Sequence, residues 1–205
     1  MTCFVVRAPI RHALAALAGL ALGLTATVAD AHPDVAVTAR VLFDFKDARM
    51  VGLMESFTFD ATESARMIRA YDSNRDGRFD ADETAAMAGV LGADFGRYQF
   101  FTQLTASDGV HVLRRPVAFT ADIENGLVTV AFAFTLAEPL VVDAERPVEV
   151  MLRDADYTID FRFADDRPAM VRGAERECEA TTRERPDAAV LVGRIVPWAL
   201  TLNCR

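Results

Sequence analysis

Histidine and cysteine are scarce in this sequence, and their scarcity limits the chemistry available to it. The 205 residues include three histidines, three cysteines and one tryptophan. Many hydrolases need a nucleophile beside a base or a metal held by paired histidines, yet neither a G-x-S-x-G nor an H-E-x-x-H pattern occurs. The carboxylate pairs Asp154/Asp156 and Asp165/Asp166 are typical of a solvated acidic surface. We therefore predict a protein that is not an enzyme.

The chain also lacks an excess of positive charge. Its 30 acidic residues outnumber its 22 lysines and arginines, which gives a formal net charge of −8. A negatively charged surface repels the phosphates of DNA and RNA, whereas nucleic-acid-binding domains are usually basic. We do not expect nucleic acid as a partner.

Long apolar runs are confined to the N-terminus. Arg7 and Arg11 precede an apolar stretch over residues 13–28, and Ala29-Asp30-Ala31 follows it. This order of charged, apolar and small residues is typical of a signal peptide, and the stretch is shorter than the ~20 residues that a membrane-spanning helix requires. We predict cleavage after Ala31, a periplasmic or secreted location, and a single domain over residues 32–205.

Cysteine usage agrees with export. Cys3 lies in the predicted signal peptide, which leaves Cys178 and Cys204 as a pair in an oxidising compartment. A redox-active or metal-binding pair would normally show close spacing such as C-x-x-C, which is absent here. We predict a structural disulfide between Cys178 and Cys204.

Most of the remaining sequence has the period-two alternation of strands. Residues 35–45 and 51–59 alternate apolar and polar positions across a short polar gap, which predicts a hairpin. Asn125-Gly126 favours a second tight turn, because both residues tolerate positive φ. Further alternating runs cover residues 148–152 and 157–163, and short strands are expected at the two late cysteines.

Two helical segments interrupt the strands. Asp60 and Glu63 form a capping-box pattern, which predicts a helix from Asp60 to about Tyr71, and a second helix is expected over Asp82 to about Leu91. We predict an α+β fold: an antiparallel β-sandwich or rolled sheet with an inserted helix-loop-helix hairpin of the EF-hand type at about 60–95.

The loop between these helices, residues 72–83, is here named the acidic loop. It fits the twelve-position calcium pattern, in which Gly77 allows the sharp turn at the sixth position. Calcium prefers oxygen ligands, and the predicted ligands are Asp72, Asn74, Asp76, Arg78 through its backbone carbonyl, Asp80 and Glu83. The alternative is an ordinary acidic turn, since aspartate, asparagine and glycine are common in loops. Sensor loops usually come in pairs, so the single loop favours a structural calcium ion.

A second candidate metal site lies at the N-terminus that the predicted cleavage would create. Cleavage would make His32 the first residue and leave an imidazole and a free amine on it; His111 and Asp34 could complete a copper or nickel site. The alternative is that both histidines are unrelated surface residues, because no spacing places them together.

Several motifs resemble one family. They are His-Pro-x-Val-x-Val-Thr-Ala-Arg at 32–40, Phe-Thr-Phe-Asp at 57–60, the acidic loop, Tyr98 to Phe101, Arg-Asp-Ala-Asp-Tyr at 153–157 and the late Cys178. Together they resemble DUF1007, a family of periplasmic proteins commonly described as components of an uncharacterised ABC-type transport system. This sequence departs from the usual opening of the family at Asp34 and Ala36.

The resemblance implies an accessory or solute-binding component of a transition-metal transport system, with an inner-membrane transporter as partner. Together with the acidic loop, it predicts a non-catalytic periplasmic calcium-binding protein. The alternatives are a calcium-stabilised structural or interaction module without a solute, and a copper- or nickel-binding protein that uses His32.

Overall fold

A computed structural model describes residues 33–189 and 195–205. The strands are β1 (Val35–Lys46), β2 (Arg49–Phe59), β3 (Thr102–Ala106), β4 (Gly109–His111), β5 (Ala118–Glu124), β6 (Leu127–Leu140), β7 (Val148–Leu152), β8 (Ile159–Phe163), β9 (Ala169–Arg172), β10 (Cys178–Glu184) and β11 (Trp198–Cys204). The helices are α1 (Ala61–Tyr71) and α2 (Ala81–Arg97), with 3₁₀ turns at Gln99–Phe101 and Pro186–Ala188. The predicted signal peptide and His32 lie outside these residues.

The strands form two sheets that share one hydrophobic core. The first sheet has the order β5-β6-β2-β1-β8, and β9 also pairs with β1. The second sheet has the order β10-β11-β7-β3-β4. Apolar side chains from both sheets belong to the same buried cluster. Because side chains alternate along each strand, these apolar residues lie on the inner faces of the sheets.

The two hairpins expected from the sequence are confirmed. β1 and β2 are antiparallel, with Val37 opposite Phe59 and Lys46 opposite Arg49. β5 and β6 are joined at Asn125-Gly126, where both residues have positive φ. Period-two patterning therefore identified these pairs correctly.

The predicted α+β class is wrong. The described residues are 48% strand and 20% helix, so the protein is mostly β with two sheets. The first sheet is also not purely antiparallel, because β1 runs parallel to β8 and β9. Alternation reveals strands but not their partners, and so it could not distinguish the two directions of pairing.

The prediction of an inserted helix-loop-helix hairpin of the EF-hand type is also wrong. The described residues contain only two α-helices, and they do not form a separate helical module. α1 packs on β6 and α2 packs on β5, so that each helix covers part of the first sheet. Met67 of α1 and Met87 of α2 are buried there. The helices are therefore components of the β fold.

The start of α1 is tied to the start of β1. Asp60 Oδ1 accepts hydrogen bonds from the backbone N–H groups of Thr62 and Glu63, as expected for a helix cap. Its Oδ2 accepts from Ala36 N at 2.8 Å, and its own N–H donates to Ala36 O. The N–H of Asp60 is thus already used, and the reciprocal capping box forms instead between Asp80 and Glu83 at the start of α2.

The predicted disulfide is present. Cys178 begins β10 and Cys204 ends β11, and the two residues lie directly opposite each other in that antiparallel pair. The bond joins the outermost strand of the second sheet to its neighbour. Among the described helices, none is both long and apolar enough to cross a membrane.

Candidate metal site

The acidic loop connects the last turn of α1 to the first turn of α2. Asp72 is the C-terminal cap of α1, where its N–H donates to Ile68 O at 2.9 Å. Gly77 adopts φ +78°, which a side chain would disfavour, and Arg75 is also left-handed at φ +61°. The turn required at the sixth loop position is therefore present.

Hydrogen bonds inside the loop orient its side-chain oxygens. Asp72 Oδ2 accepts from Gly77 N at 3.1 Å, and Asn74 Oδ1 accepts from Asp76 N at 2.9 Å. Asp76 Oδ1 in turn accepts from Arg78 N at 2.9 Å. Each bond fixes one side-chain oxygen against a backbone N–H group a few residues later. Together these bonds hold the predicted ligands in a compact turn.

Glu83 closes the loop from the α2 side and is buried. Its Oε1 accepts from both the N–H and the hydroxyl of Ser73 at 2.7 Å, and its Oε2 accepts from Asp80 N at 3.1 Å. The Ser73 hydroxyl, followed by the Asp80 N–H, lowers the pKa of Glu83. The side chain is therefore held as a carboxylate that joins the two ends of the loop.

Asp72 is the residue whose bonding is incomplete. The residue is 8% exposed, and its Oδ1 is buried without a hydrogen-bond partner. It also lies at the C-terminal end of α1, where the partial negative charge of the helix disfavours a carboxylate. A buried carboxylate oxygen without a partner is destabilising by about 1–3 kcal/mol or more.

The described side chains are not arranged around a common centre. No group of three or more His, Cys, Asp and Glu residues within 33–189 and 195–205 is placed to hold a metal ion. Asp80 Oδ1 caps α2 through the N–H groups of Asp82 and Glu83, and both Glu83 oxygens are hydrogen-bonded as above. Calcium coordination therefore stays a prediction, and it requires Glu83 to exchange its present partners.

The second predicted metal site is not assembled by the described residues. His111 Nε2 lies 2.8 Å from Asp108 Oδ1, and this hydrogen bond lowers the pKa of Asp108. Asp34 is exposed at the start of β1, while His32 lies outside the described residues. The copper- or nickel-binding alternative at His32 thus stays a hypothesis, and the proximity of His32 and His111 stays open.

Sequence analysis missed two buried acids. Asp154 was interpreted as solvated, but it is 4% exposed and accepts hydrogen bonds from the N–H groups of Asp156, Thr158 and Ile159 and from the Thr158 hydroxyl. Glu55 on β2 is fully buried, and neither of its oxygens has a partner among the described residues. Burial raises the pKa of Glu55 to about 8.

A signal for Glu55 was present in the sequence. It occupies the same alternating positions as Leu53 and Phe57, both of which face the core. Alternation alone therefore predicts an inward carboxyl group. Asp154 offers no comparable pattern, because its bonds go to the backbone of its own loop.

Comparison with known proteins adds a family but no ligand. Residues 17–192 match the model of a family described as "Protein of unknown function (DUF1007)". A protein of Spirochaeta aurantia, described as an uncharacterised 15.5 kDa protein in the trpE 3' region, is 26% identical over 132 residues. The match covers 64% of the present chain and 93% of the Spirochaeta protein. Neither description states a reaction or a partner.

Proposed function

The chain belongs to the DUF1007 family of proteins of unknown function, and we propose that it is a non-catalytic calcium-binding protein whose acidic loop holds one ion. The observation that carries this proposal is the buried, unpartnered Oδ1 of Asp72 at the C-terminal end of α1. A cation beside this oxygen supplies the missing partner and offsets the unfavourable helix dipole. The proposal concerns the loop itself and needs no separate helix-loop-helix module.

The chemistry of the loop favours calcium over softer metals. Its candidate ligands are the oxygens of Asp72, Asn74, Asp76, Asp80 and Glu83 and the carbonyl of Arg78, with neither thiolate nor imidazole among them. Hard oxygen donors suit calcium and magnesium, and six to eight flexible ligands suit calcium better than the strict octahedron of magnesium.

Binding requires a local rearrangement at Glu83. If its carboxylate is to contact the ion with both oxygens, Oε1 must give up at least one of its bonds from the N–H and hydroxyl groups of Ser73. Because the pKa of Glu83 is already lowered, the side chain enters the site ionised and no proton must be displaced from it. This exchange costs part of the binding energy, so we expect weak to moderate affinity, with Kd between about 10⁻⁶ and 10⁻³ M.

The decisive experiment compares stability and calcium binding of the wild type with Asp72→Asn. In calcium, the wild type binds one ion and melts at a higher temperature, whereas the variant binds roughly tenfold or more weakly. In a chelator the order of thermal stability changes. The variant is then at least as stable as the wild type, because it no longer buries an unpaired charge. Isothermal titration and thermal denaturation measure the two effects.

Asp165→Asn is the matched control, since Asp165 is an exposed aspartate outside the acidic loop. It removes the same charge and should leave both calcium affinity and the chelator result unchanged. The proposal fails if the wild type takes up no calcium at millimolar concentration, or if both variants weaken binding equally.

The proposed setting is the periplasm, where the protein serves as an accessory or solute-binding component of a transition-metal transport system. The disulfide between Cys178 and Cys204 supports an oxidising compartment, and the transport role rests on the resemblance of the sequence motifs set out in the sequence analysis. Mass spectrometry of the periplasmic fraction tests the location: the expected species begins at His32 and is oxidised. A full-length cytoplasmic species would contradict it.

A further inference from the structure

A cavity of about 290 Å³ with a mixed polar and apolar lining lies at the C-terminal end of α2, away from the acidic loop. It is lined in part by Arg97, Tyr98, Gln99, Thr102, Gln103 and Arg153. Seventeen residues of α2 separate the two regions, which corresponds to about 25 Å at 1.5 Å per residue. No acidic side chain of the described residues lines the cavity, although acids outnumber bases in the chain.

Two guanidinium groups border this cavity without strong partners. Arg97 approaches Asp94 only to 3.8 Å and remains largely exposed. Arg153 is exposed as well, and within the described residues no carboxylate lies within ion-pair distance of it. Positive charge is thus available in the cavity, where bidentate guanidinium groups are well suited to bind carboxylate or phosphate.

The backbone that carries Arg153 is held firmly. Arg153 N donates to Phe101 O at 2.8 Å, which joins it to another residue of the cavity lining. The next residue, Asp154, accepts four hydrogen bonds from the loop that follows. The backbone that carries this guanidinium is therefore preorganised, so that ligand binding has to order only the side chain.

Part of the cavity lining comes from a strained turn. Gln99, Phe100 and Phe101 have φ of 53°, 55° and 58°, an unusual run for three residues that are not glycine. The left-handed conformation costs roughly 1–2 kcal/mol per residue, and such strain is concentrated at ligand clamps and active sites. Buried packing of Phe100 and Phe101 against Phe132 and Phe161 holds the turn in place.

Thr102, which lines the cavity, lies close to a buried acid that is mostly protonated at neutral pH. Thr102 donates its hydroxyl proton to Phe100 O at 2.8 Å, and Glu55 lies close to the same hydroxyl. The neighbours of Glu55 across the sheet, Val41 on β1 and Phe132 on β6, bring no charge. Because burial raises its pKa to about 8, Glu55 does little to repel an anion in the cavity.

We propose that this cavity binds a small oxyanion, a carboxylate or a phosphate, between the guanidinium groups of Arg97 and Arg153. The side-chain amides of Gln99 and Gln103 offer neutral donors beside them. The site goes beyond the calcium proposal and does not depend on it.

The test is titration of the full chain with inorganic phosphate and, separately, with succinate at constant ionic strength. We expect saturable one-to-one binding of at least one anion, weakened tenfold or more by Arg153→Gln and by Arg97→Gln. Arg49→Gln is the matched control, because Arg49 is an exposed arginine outside the cavity, and it should change the affinity less than twofold.

Two results would overturn the inference: saturable binding of neither anion, or equal weakening by Arg49→Gln and the two cavity variants. The second result would mean that the anion responds only to overall charge. Repeating the titration with Asp72→Asn separates this inference from the calcium proposal, because that variant removes a predicted calcium ligand and should leave anion affinity unchanged.

Discussion

The carboxyl group of Glu55 makes stability depend on pH in an unusual direction. It titrates near 4.5 in an unfolded chain and near 8 in the folded protein, so the unfolded state loses the proton first as pH rises. The contribution of Glu55 to stability is therefore fully present below pH 4.5 and is lost progressively towards pH 8. Most acids with lowered pKa, such as Glu83, act in the opposite direction.

Glu55→Gln tests this dependence with little change of shape. We expect the variant and wild type to have similar free energies of unfolding at pH 4 and the variant to be more stable at pH 9 by about 4–5 kcal/mol, from 1.36 kcal/mol per pKa unit. Urea denaturation at the two pH values measures the difference. Glu124→Gln, at an exposed glutamate, should show no such change. A Glu55→Gln effect that is independent of pH would contradict the assignment.

Individual side chains differ in how far the sequence determines their roles. The inward direction of Glu55 follows from alternation with Leu53 and Phe57. Its proximity to Thr102 does not follow from the sequence, because Thr102 lies in the other sheet and is 47 residues further along the chain. The positions of the oxygen-bearing residues in the acidic loop could likewise be predicted from the sequence, whereas the hydrogen bonds from Ser73 to Glu83 could not.

Among the elements, α1 depends on its N-terminal cap. Asp60→Ala removes the acceptor for Thr62 and Glu63 and also the bond to Ala36 on β1. We expect a loss of about 1–2 kcal/mol in the free energy of unfolding. Asp60→Asn retains an oxygen acceptor and should recover part of this loss in the same urea denaturation. Equal losses in both variants would show that the cap geometry contributes little.

Helix α2 shows where prediction of element boundaries failed. The sequence suggested an end near Leu91, before the glycines at 92 and 96, yet the helix continues to Arg97. Glycine disfavours helix by about 1 kcal/mol, but Phe95 is buried and packs 5.1 Å from Phe101 and 6.3 Å from Phe57. Tertiary packing of one aromatic side chain thus extends the helix through a sequence that would otherwise end it.

At the scale of the whole molecule, the disulfide restricts the unfolded chain. Cys178 and Cys204 are 26 positions apart, and closing a loop of that length stabilises the folded state by about 3–4 kcal/mol in the chain-entropy model. Reduction should therefore lower the urea midpoint of the wild type. The double variant Cys178→Ala, Cys204→Ala should start from the lower stability and not respond to reductant. An unchanged midpoint after complete reduction would contradict this prediction.

The fold class was harder to predict from the sequence than the individual strands and helices were. Local patterns identified both confirmed hairpins and both helices, but the parallel pairing of β1 with β8 joins segments more than a hundred residues apart. No local pattern encodes such a pairing, since each strand alternates in the same way whatever its partner. The two helices were consequently assigned to a module of their own, when their apolar faces in fact cover the first sheet.

The position of β11 has a consequence for how the protein is made. Ribosomes synthesise it last among the described strands, yet it pairs with both β10 and β7 inside the second sheet. Until residues 198–204 emerge, both neighbours keep open hydrogen-bonding edges on the sides that β11 will occupy. Such edges can pair with strands of other chains. A chain truncated before Trp198 should therefore aggregate unless chaperones bind it, rather than fold as a shortened protein.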